Sequence, residues 1–294
     1  MLIDLHIHSS HSHDGEYPVS ELVRMCSEKN IDAMAIADHN TAVGVSEALE
    51  AGIKYGVEIV PSIELDTSFL GRVFHLLGYY VDTDSDDFKK IKTDLYELEM
   101  KAFPEIIKNV QAMGIEVSWE DFLGTLEPDM APTEELLANM IFRNPANSKH
   151  ERVTPYLPGG VKSDMPQFNF YRDFLGPGRE GFVPRDYTRL EEAVKMVRRN
   201  GGVPILAHPG GSIGGDFSKL EKLKATGIAG LEAFSSYHSE EENRRFLKYC
   251  KDNGLLYTCG SDFHGRMKPV ISLGEHKSTE DQAEILSFLK AARG

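Results

Sequence analysis

The stretch LIDLHIHSSHSHDG, residues 2–15, alternates apolar and polar residues and then becomes almost wholly polar. Successive side chains of a β-strand point to opposite faces, so His6 and His8 lie on one face, about 7 Å apart, opposite the apolar residues. The pattern predicts a buried strand that presents two imidazoles on one side. Neutral imidazole is a common ligand of zinc, iron and manganese, but a single HxH pair fits a polar strand end equally well.

Strand-like and helix-like segments alternate along most of the remaining chain. PVSELVRMCSEKN places its apolar residues on one helical face after Pro18, and IDAMAIADHN is typical of a buried strand. VEIVPSIEL and GRVFHLLGYYV predict a hairpin that turns around Gly71. VPILAHPGG, IAGLEAFSS and LYTCGSDFHG continue the series, each preceded by a helical segment. The alternation predicts an α/β fold built on a parallel sheet or a βα barrel.

The middle of the chain interrupts this alternation. A long helical segment, about residues 88–113, contains Pro104, which we expect to kink or divide it. The following segment is rich in Pro, Gly and Asn, which indicates turns and irregular structure. We therefore expect a first barrel part at residues 1–90, a mainly helical or irregular insertion at 91–178 that caps the C-terminal rim, and a second barrel part at 179–294. A loose linker is the alternative, but the aromatic side chains between residues 168 and 174 need a core to bury them.

Composition and charge restrict the classes of function. The chain has 294 residues and a formal net charge of -14, which disfavours a protein that grips long nucleic acid through basic surfaces. Its three widely spaced cysteines form no disulfide or zinc–thiolate pattern. It also shows no signal-peptide pattern and no run of about 18 apolar residues. We expect a cytoplasmic protein without a membrane partner.

A histidine or a carboxylate stands at or near the C-terminal end of most of the strand-like segments. In βα barrels this rim carries the active site. Burying so many such groups together without ions is costly, so the pattern predicts a metal centre with two or three divalent ions. The candidate ligands are His6, His8, Asp14, His39, Glu64, His75, His208, Asp262 and His264. His11 and His13 follow the first strand in a loop, where we expect them to be exposed to solvent.

Six motifs carry a resemblance to a known family. DLHIHSSHSHDG, IADHN, PSIEL, FHLLGY, ILAHPGG and GSDFH, in this order, resemble the PHP (polymerase and histidinol phosphatase) superfamily. The resemblance is closest to its stand-alone nucleoside bisphosphate phosphatases and tryptophan-operon-linked phosphoesterases. It implies a distorted (β/α)7 barrel with the site at the C-terminal rim.

The same resemblance implies ligand sets and a reaction. One ion would be held by His6, His8, Glu64 and Asp262, a second by Glu64, His75 and His208, and a third by Asp14, His39 and His264. The ions would be manganese, zinc or iron. The implied reaction is hydrolysis of a phosphate ester in a small phosphorylated metabolite by a metal-bridging hydroxide, with Glu64, His208 and Asp262 as catalytic residues. Nucleotides and sugar phosphates, as monoesters or cyclic diesters, all remain open as substrates.

The insertion departs from the family pattern. The GRPH-type motif that related nucleotide phosphatases use to hold phosphate is replaced by DMAPTEELLANM. Bidentate arginine suits phosphate, so the candidate replacements are Arg179, which we favour, and Arg143, Arg152 and Arg172. Two other functions stay open, namely an exonuclease on short or single-stranded nucleic acid and a non-catalytic PHP platform.

Overall fold

The computed structural model describes residues 1–12, 14–126 and 130–293. The strands in these ranges are β1 (Ile3–Ile7), β2 (Ala33–Ile36), β3 (Glu58–Ile59), β4 (Ser62–Phe69), β5 (Arg72–Tyr79), β6 (Val203–Leu206), β7 (Gly230–Ser235) and β8 (Leu256–Gly260). They form a parallel sheet in the order β1-β2-β3 and a mixed sheet in the order β4-β5-β6-β7-β8.

The mixed sheet owes its antiparallel part to the predicted hairpin, which is confirmed. β4 and β5 pair over their whole length, and β5 also runs antiparallel to β6. Leu70 and Gly71 form the turn with φ of 50° and 71°, the pair of positive φ angles that a two-residue hairpin turn requires. The α/β class is therefore confirmed, and the sheet that contains the hairpin is mixed, because β5 runs antiparallel to both β4 and β6.

The helices follow the strands along the chain. They are α1 (Val19–Glu28), α2 (Val45–Tyr55), α3 (Asp86–Ala112), α4 (Trp119–Leu123), α5 (Glu134–Arg143), α6 (Pro166–Phe170), α7 (Leu190–Arg199), α8 (Pro209–Ile213), α9 (Lys219–Ala225), α10 (Glu240–Asn253) and α11 (Gln282–Ala291). Pro104 lies inside α3 and does not divide it.

The chain forms two compact units. Unit 1 comprises residues 1–91, 187–265 and the chain from 271 onward, and unit 2 comprises residues 92–186 and 266–270. Both sheets belong to unit 1, and its core packs apolar strand residues such as Leu5 and Leu76 with helix residues such as Val194 and Phe246. α7 illustrates how a helix contributes to this core, because its buried residues recur at the spacing of one helical face. They are Leu190, Ala193, Val194 and Val197.

Unit 2 has a core of its own, rich in aromatic residues. Phe103 and Phe122 stack with their ring centroids 5.5 Å apart, and Phe170 packs edge-on against Tyr156. The predicted irregular segment contains short helical turns at Pro145–Asn147, Thr154–Tyr156 and Tyr171–Leu175. Its aromatic residues therefore pack into a core, as the alternative of a loose linker would not allow.

Candidate metal centre

The two histidines of the first strand face into unit 1 together. His6 lies in β1 and His8 follows the last residue of that strand, and both side chains are buried. Their Nε2 atoms are 3.1 Å apart. The alternation in the sequence therefore places both imidazoles on the same face, as predicted.

Glu64 of β4 is the carboxylate around which the other groups gather. Its side chain is fully buried, and both of its oxygens lie close to imidazole nitrogens. Oε1 is 3.3 Å from Nε2 of His6, 3.3 Å from Nδ1 of His75 and 3.2 Å from Nε2 of His208. Oε2 is 3.2 Å from Nε2 of His8 and 3.4 Å from Nδ1 of His39. One carboxylate thus contacts two histidines that lie in strands, in β1 and β5, and three that shortly follow β1, β2 and β6.

The remaining predicted ligands complete the cluster. Asp262 Oδ1 is 3.1 Å from Nε2 of His6 and 3.0 Å from Nε2 of His8. Asp14 Oδ2 is 2.8 Å from Nε2 of His264 and 3.6 Å from Nε2 of His39. All nine predicted residues therefore lie in one cluster within unit 1.

The ligand atoms of eight of the nine residues, all but His208, fall into three groups, within each of which all atoms lie within 4.8 Å of one another. In the described part of the chain the groups are His6, His8, Glu64 and Asp262; His8, Asp14, His39 and His264; and His39, Glu64 and His75. The first group has the membership that we predicted for one ion. The other two differ from the predicted sets, because His8 joins the group around Asp14 and His39 stands beside Glu64 and His75 in place of His208.

The hydrogen bonds of two imidazoles show that the cluster suits cations. Nδ1 of His6 lies 3.0 Å from a Glu232 oxygen, and with this oxygen as the acceptor the nitrogen carries the hydrogen. Ser12 donates its hydroxyl hydrogen to Asp14, so it can only accept from Nδ1 of His8, 3.4 Å away. Both Nε2 atoms then present lone pairs to each other and to carboxylate oxygens. Such a donor set repels itself unless a positive charge lies among it, and it matches the ligands of divalent transition metals.

Electrostatics support the same conclusion. Burial alone lowers the pKa of His6, but Glu64, Glu232 and Asp262 outweigh burial and hold this pKa well above its usual range. Burial raises the pKa of Glu64, while the imidazoles of His6, His39 and His75 bring it well below its usual range. The cluster therefore favours added positive charge, which protons or metal ions can provide.

Backbone strain accompanies the cluster. His208 has φ of 22° and Asp262 has φ of 56°, in a region that residues other than glycine rarely adopt. Such strain persists where surrounding contacts impose it, and it concentrates at functional sites. Two buried aspartates supply contacts of this kind: Asp4 accepts from the N–H and hydroxyl of Ser261, and Asp38 accepts from the same two groups of Ser9. Each serine is the neighbour of a predicted ligand.

Three residues of the site were missed from the sequence. Glu232 in β7 binds His6, Asp66 in β4 lies 3.0 Å from Nδ1 of His39, and Tyr237 donates its hydroxyl to Asp262 Oδ2 at 2.7 Å. A signal existed for two of them. Glu232 is the one charged residue in the buried strand GLEAFS, and Asp66 stands two positions after Glu64, hence on the same strand face.

The loop histidines and the arginines differ from the nine ligands. His11 is exposed, as predicted, and His13 lies outside the described residues. The four candidate arginines all belong to unit 2. Arg152 binds Glu180 at 2.6 Å and lies over the ring of Phe174, Arg172 is 3.8 Å from Asp173, and Arg179 donates to the carbonyl of Arg172. Arg143 is exposed at the end of α5. Their role toward phosphate stays a prediction.

The family model of the PHP domain matches residues 4–139, which include six of the nine clustered residues. The chain therefore contains a PHP domain, and it is similar in sequence to phosphatases and phosphodiesterases.

Three relatives show the range of activities among similar proteins. A 3',5'-nucleoside bisphosphate phosphatase from Chromobacterium violaceum is 25% identical over 89% of this chain and 87% of its own. A phosphoribosyl 1,2-cyclic phosphate 1,2-diphosphodiesterase from Eggerthella lenta is 26% identical over 93% and 98%. A 5'-3' exoribonuclease from Haemophilus influenzae is 25% identical over 89% of both chains. All three activities cleave phosphate esters.

Solved structures share the fold. An amidohydrolase from Chromobacterium violaceum with bound sulfate superposes with a TM-score of 0.79 at 23% identity, over 99% of this chain and 96% of that one. A protein assigned as a metal-dependent phosphoesterase from Bifidobacterium adolescentis has a TM-score of 0.75 at 22% identity, over 97% and 95%. Among the described residues of the present chain, none of the helices combines the length and the apolar character needed to cross a bilayer.

Proposed function

We propose that this PHP protein hydrolyses a phosphate ester of a small phosphorylated metabolite, either a nucleotide or a sugar phosphate, as a monoester or a cyclic diester. The observation that carries the proposal is the convergence of five imidazoles on the two oxygens of Glu64. A carboxylate with this surrounding can bridge two cations, and paired cations are a recurring device for phosphate-ester hydrolysis.

The cluster would hold two or three divalent ions, which we expect to be manganese, zinc or iron. His6, His8, Glu64 and Asp262 would hold one of them. Glu64 and His75, with His39 or His208, would hold another, and Asp14, His39 and His264 a third. When bound, such ions neutralise phosphoryl oxygens and lower the pKa of water. Two isolated β-bridges connect the sheets: Ile7 of β1 pairs with Phe263, which follows β8, and His39, which follows β2, pairs with Glu64 of β4. These bridges support a distorted (β/α)7 barrel around this centre.

The exposure of the ligands indicates the side from which substrate arrives. His75 and His208 have 28% and 15% of their side chains exposed, whereas His6, His8 and Glu64 are fully enclosed. The enclosed part of the cluster excludes water, and although burial raises the pKa of Glu64, the imidazoles of His6, His39 and His75 hold that pKa well below its usual range. We therefore assign Glu64 and Asp262 the task of holding the ions, and place His208, on the exposed side, next to the reacting phosphate.

Phosphate recognition outside the metal centre is assigned to the insertion. Arg179 and Arg143 lack a carboxylate partner among the described residues, so their guanidinium groups are available to an anion. Arg152 and Arg172 lie beside Glu180 and Asp173, which makes them weaker candidates. An insertion that caps the C-terminal rim would bring this unit to the substrate, and we retain that arrangement as part of the proposal.

The exoribonuclease relative supports a second candidate function on short nucleic acid. The net charge of -14 argues against it for long strands, because binding to a polyanion draws on basic surfaces. A third hypothesis is a non-catalytic, metal-binding platform. It is disfavoured because a histidine, aspartate or glutamate stands at each of the nine ligand positions that the family resemblance implies.

A phosphate-release panel tests the proposal. Manganese-loaded protein is assayed on nucleoside 5'-phosphates, 3',5'-bisphosphates, cyclic phosphates, sugar phosphates and short oligonucleotides, with Glu64→Gln as the control. Turnover of one small ester that Glu64→Gln abolishes is the expected result. Turnover confined to oligonucleotides would favour the exoribonuclease. If the protein released no phosphate from any substrate while bound metal was verified, the enzymatic proposal would be refuted and the non-catalytic platform would remain.

A further inference from the structure

Glu232 is a buried carboxylate that none of the three ligand groups contains. It lies in the middle of β7 with no exposed side-chain surface. Its Oε1 is 3.0 Å from Nδ1 of His6, and its Oε2 accepts the backbone N–H of His208 at 2.8 Å. A single side chain thus contacts two predicted ligands that come from different strands.

We infer that Glu232 is a positioning residue that fixes two metal ligands at once: the tautomer and ring orientation of His6, and the strained backbone of His208. The inference rests on the proposed function, since it assigns the two histidines to the metal centre. Imidazole ligands generally donate their second ring N–H to a carboxylate or a carbonyl, and loss of that partner weakens metal binding.

The tautomer of His6 follows from this contact. Oε2 of Glu232 already accepts from the backbone of His208, and with Oε1 as an acceptor too, the hydrogen between Glu232 and His6 belongs to Nδ1. Nε2 is then the free lone pair, and it is the atom that faces Glu64 Oε1 at 3.3 Å and Asp262 Oδ1 at 3.1 Å. The contact therefore directs the ligating nitrogen of His6 toward the other members of its group.

The contact to His208 acts on the backbone. With φ of 22° and ψ of 60°, His208 lies outside the regions that its residue type prefers. A charge-assisted hydrogen bond to its N–H is one of the contacts that can hold such a conformation. Its ring then stacks against His6 with centroids 5.6 Å apart, and Nε2 reaches Glu64.

A neighbouring glycine makes room for this arrangement. A Cβ placed on Gly260 of β8 would lie 2.3 Å from Cβ of His6 and 2.6 Å from Oε1 of Glu232. Any larger residue at position 260 would separate the carboxylate from the imidazole or displace β1. The strand next to β7 is therefore shaped to accept the pair.

Replacement by glutamine separates the two tasks, because an amide has one acceptor oxygen where the carboxylate has two. If the amide oxygen of Glu232→Gln faces His6, its NH2 opposes the N–H of His208. If the amide is turned the other way, its NH2 faces Nδ1 of His6 and forces the hydrogen of that ring onto Nε2. In either orientation one of the two ligands loses its support.

The first measurement uses the wild-type full-length protein and needs no variant. Nitrogen-15 NMR of histidine-labelled, metal-free protein, held above the titration range of His6, should show the Nδ1–H tautomer, with His6→Asn used for assignment. An Nε2–H tautomer would overturn the inference. Since this readout involves neither turnover nor metal, it stands apart from any failure of the proposed hydrolysis.

The second measurement is manganese affinity, determined by equilibrium dialysis and metal analysis. We expect Glu232→Gln to raise the dissociation constant 10- to 100-fold, in a metal-free protein that still unfolds in one cooperative transition. The control is Thr258→Val, which removes a polar atom from the register partner of Glu232 in β8, a residue equally buried and without a hydrogen bond to either histidine. An unchanged affinity in a folded Glu232→Gln protein, or an equal loss in Thr258→Val, would contradict the inference.

Discussion

The hydroxyl of Tyr237 offers a quantitative test of how Asp262 is held. It donates to Oδ2 of Asp262 at 2.7 Å, while Oδ1 of the same carboxylate faces the imidazoles of His6 and His8. The ring of Tyr237 lies edge-on to His208 with centroids 5.8 Å apart. Tyr237→Phe therefore removes one hydrogen bond and leaves the ring contact in place.

The magnitude follows from the charge of the acceptor and the exposure of the donor. A hydrogen bond to an ionised group contributes about 1.5–3 kcal/mol. Because Tyr237 is 36% exposed, water can replace part of the bond, and we take about 1.5 kcal/mol, the lower end of this range. That free energy corresponds to about a tenfold change in an equilibrium constant. The dissociation constant for manganese should therefore rise about tenfold in Tyr237→Phe.

The assay is equilibrium dialysis against manganese, with turnover then measured at saturating metal. Because the bond orients a ligand before substrate arrives, we expect the loss in metal affinity and only a small change in kcat once metal saturates the site. The matched control is Tyr249→Phe in α10, which removes a hydroxyl that donates to Glu221 at 2.8 Å. An affinity within about twofold of wild type, or the same loss in Tyr249→Phe, would refute the reasoning; twofold is about 0.4 kcal/mol.

Three further predictions concern charge. Glu64→Gln should lower the number of ions bound per chain and abolish turnover, because several imidazoles lose their shared acceptor; metal analysis and the phosphate assay check this, and a fully loaded variant would contradict it. In metal-free protein, Glu64 and the other carboxylates around them outweigh burial and hold the pKa values of His6 and His39 above their usual range. Their stabilisation is therefore complete below about pH 6.5 and is lost as pH rises through the raised values. The melting temperature of metal-free protein should fall as pH rises above about 6.5, and a rise would count against the assigned contacts. At the other end of the scale, bonds from Arg199 and Asn200 lower the pKa of Asp87 to about 2. The contribution of ionised Asp87 to the free energy of unfolding should persist at neutral pH and vanish as pH falls from about 4 toward 2. A double-mutant cycle of Asp87→Asn with Arg199→Gln should give a coupling free energy of at most about 1 kcal/mol at neutral pH. A coupling free energy that stays constant between about pH 7 and pH 2 would exclude the ion pair as its source.

The sequence predicts the α/β class, the hairpin and the clustering of nine residues because these depend on local pattern. Alternation puts His6 and His8 on one face, and strand ends bring polar residues to one rim. The direction of β6 relative to β5 depends on pairing between segments more than 120 positions apart, which no local pattern contains. Of the two effects predicted for Pro104, division of the helix is wrong, because α3 continues through this residue and the buried residues Phe103, Ile106, Ile107 and Val110 keep the helical spacing.

The supporting residues were harder to predict than the ligands. Glu232 sits in an apolar strand with no partner nearby in sequence, and its contact with His6 joins residues 226 positions apart. Tyr237 lies in the loop after β7, and no sequence pattern distinguishes it from any other aromatic residue in a loop. The grouping of ligand atoms was only partly predicted, because His8 and His39 each belong to two groups. Assignment to one group or another depends on side-chain geometry, which a sequence pattern does not specify.

The bond between Asp4 and Ser261 joins residues 257 positions apart and places the last ligands of the cluster beside the first. During synthesis the ribosome releases His6 and His8 long before Asp262 and His264, so the emerging chain holds only a partial set of donors. A partial set binds divalent ions weakly and with little preference among them. If the cluster binds metal as proposed, high-affinity loading would require β8 to be paired with its neighbours, and a tightly bound ion would report that the first and last strands of unit 1 have come together.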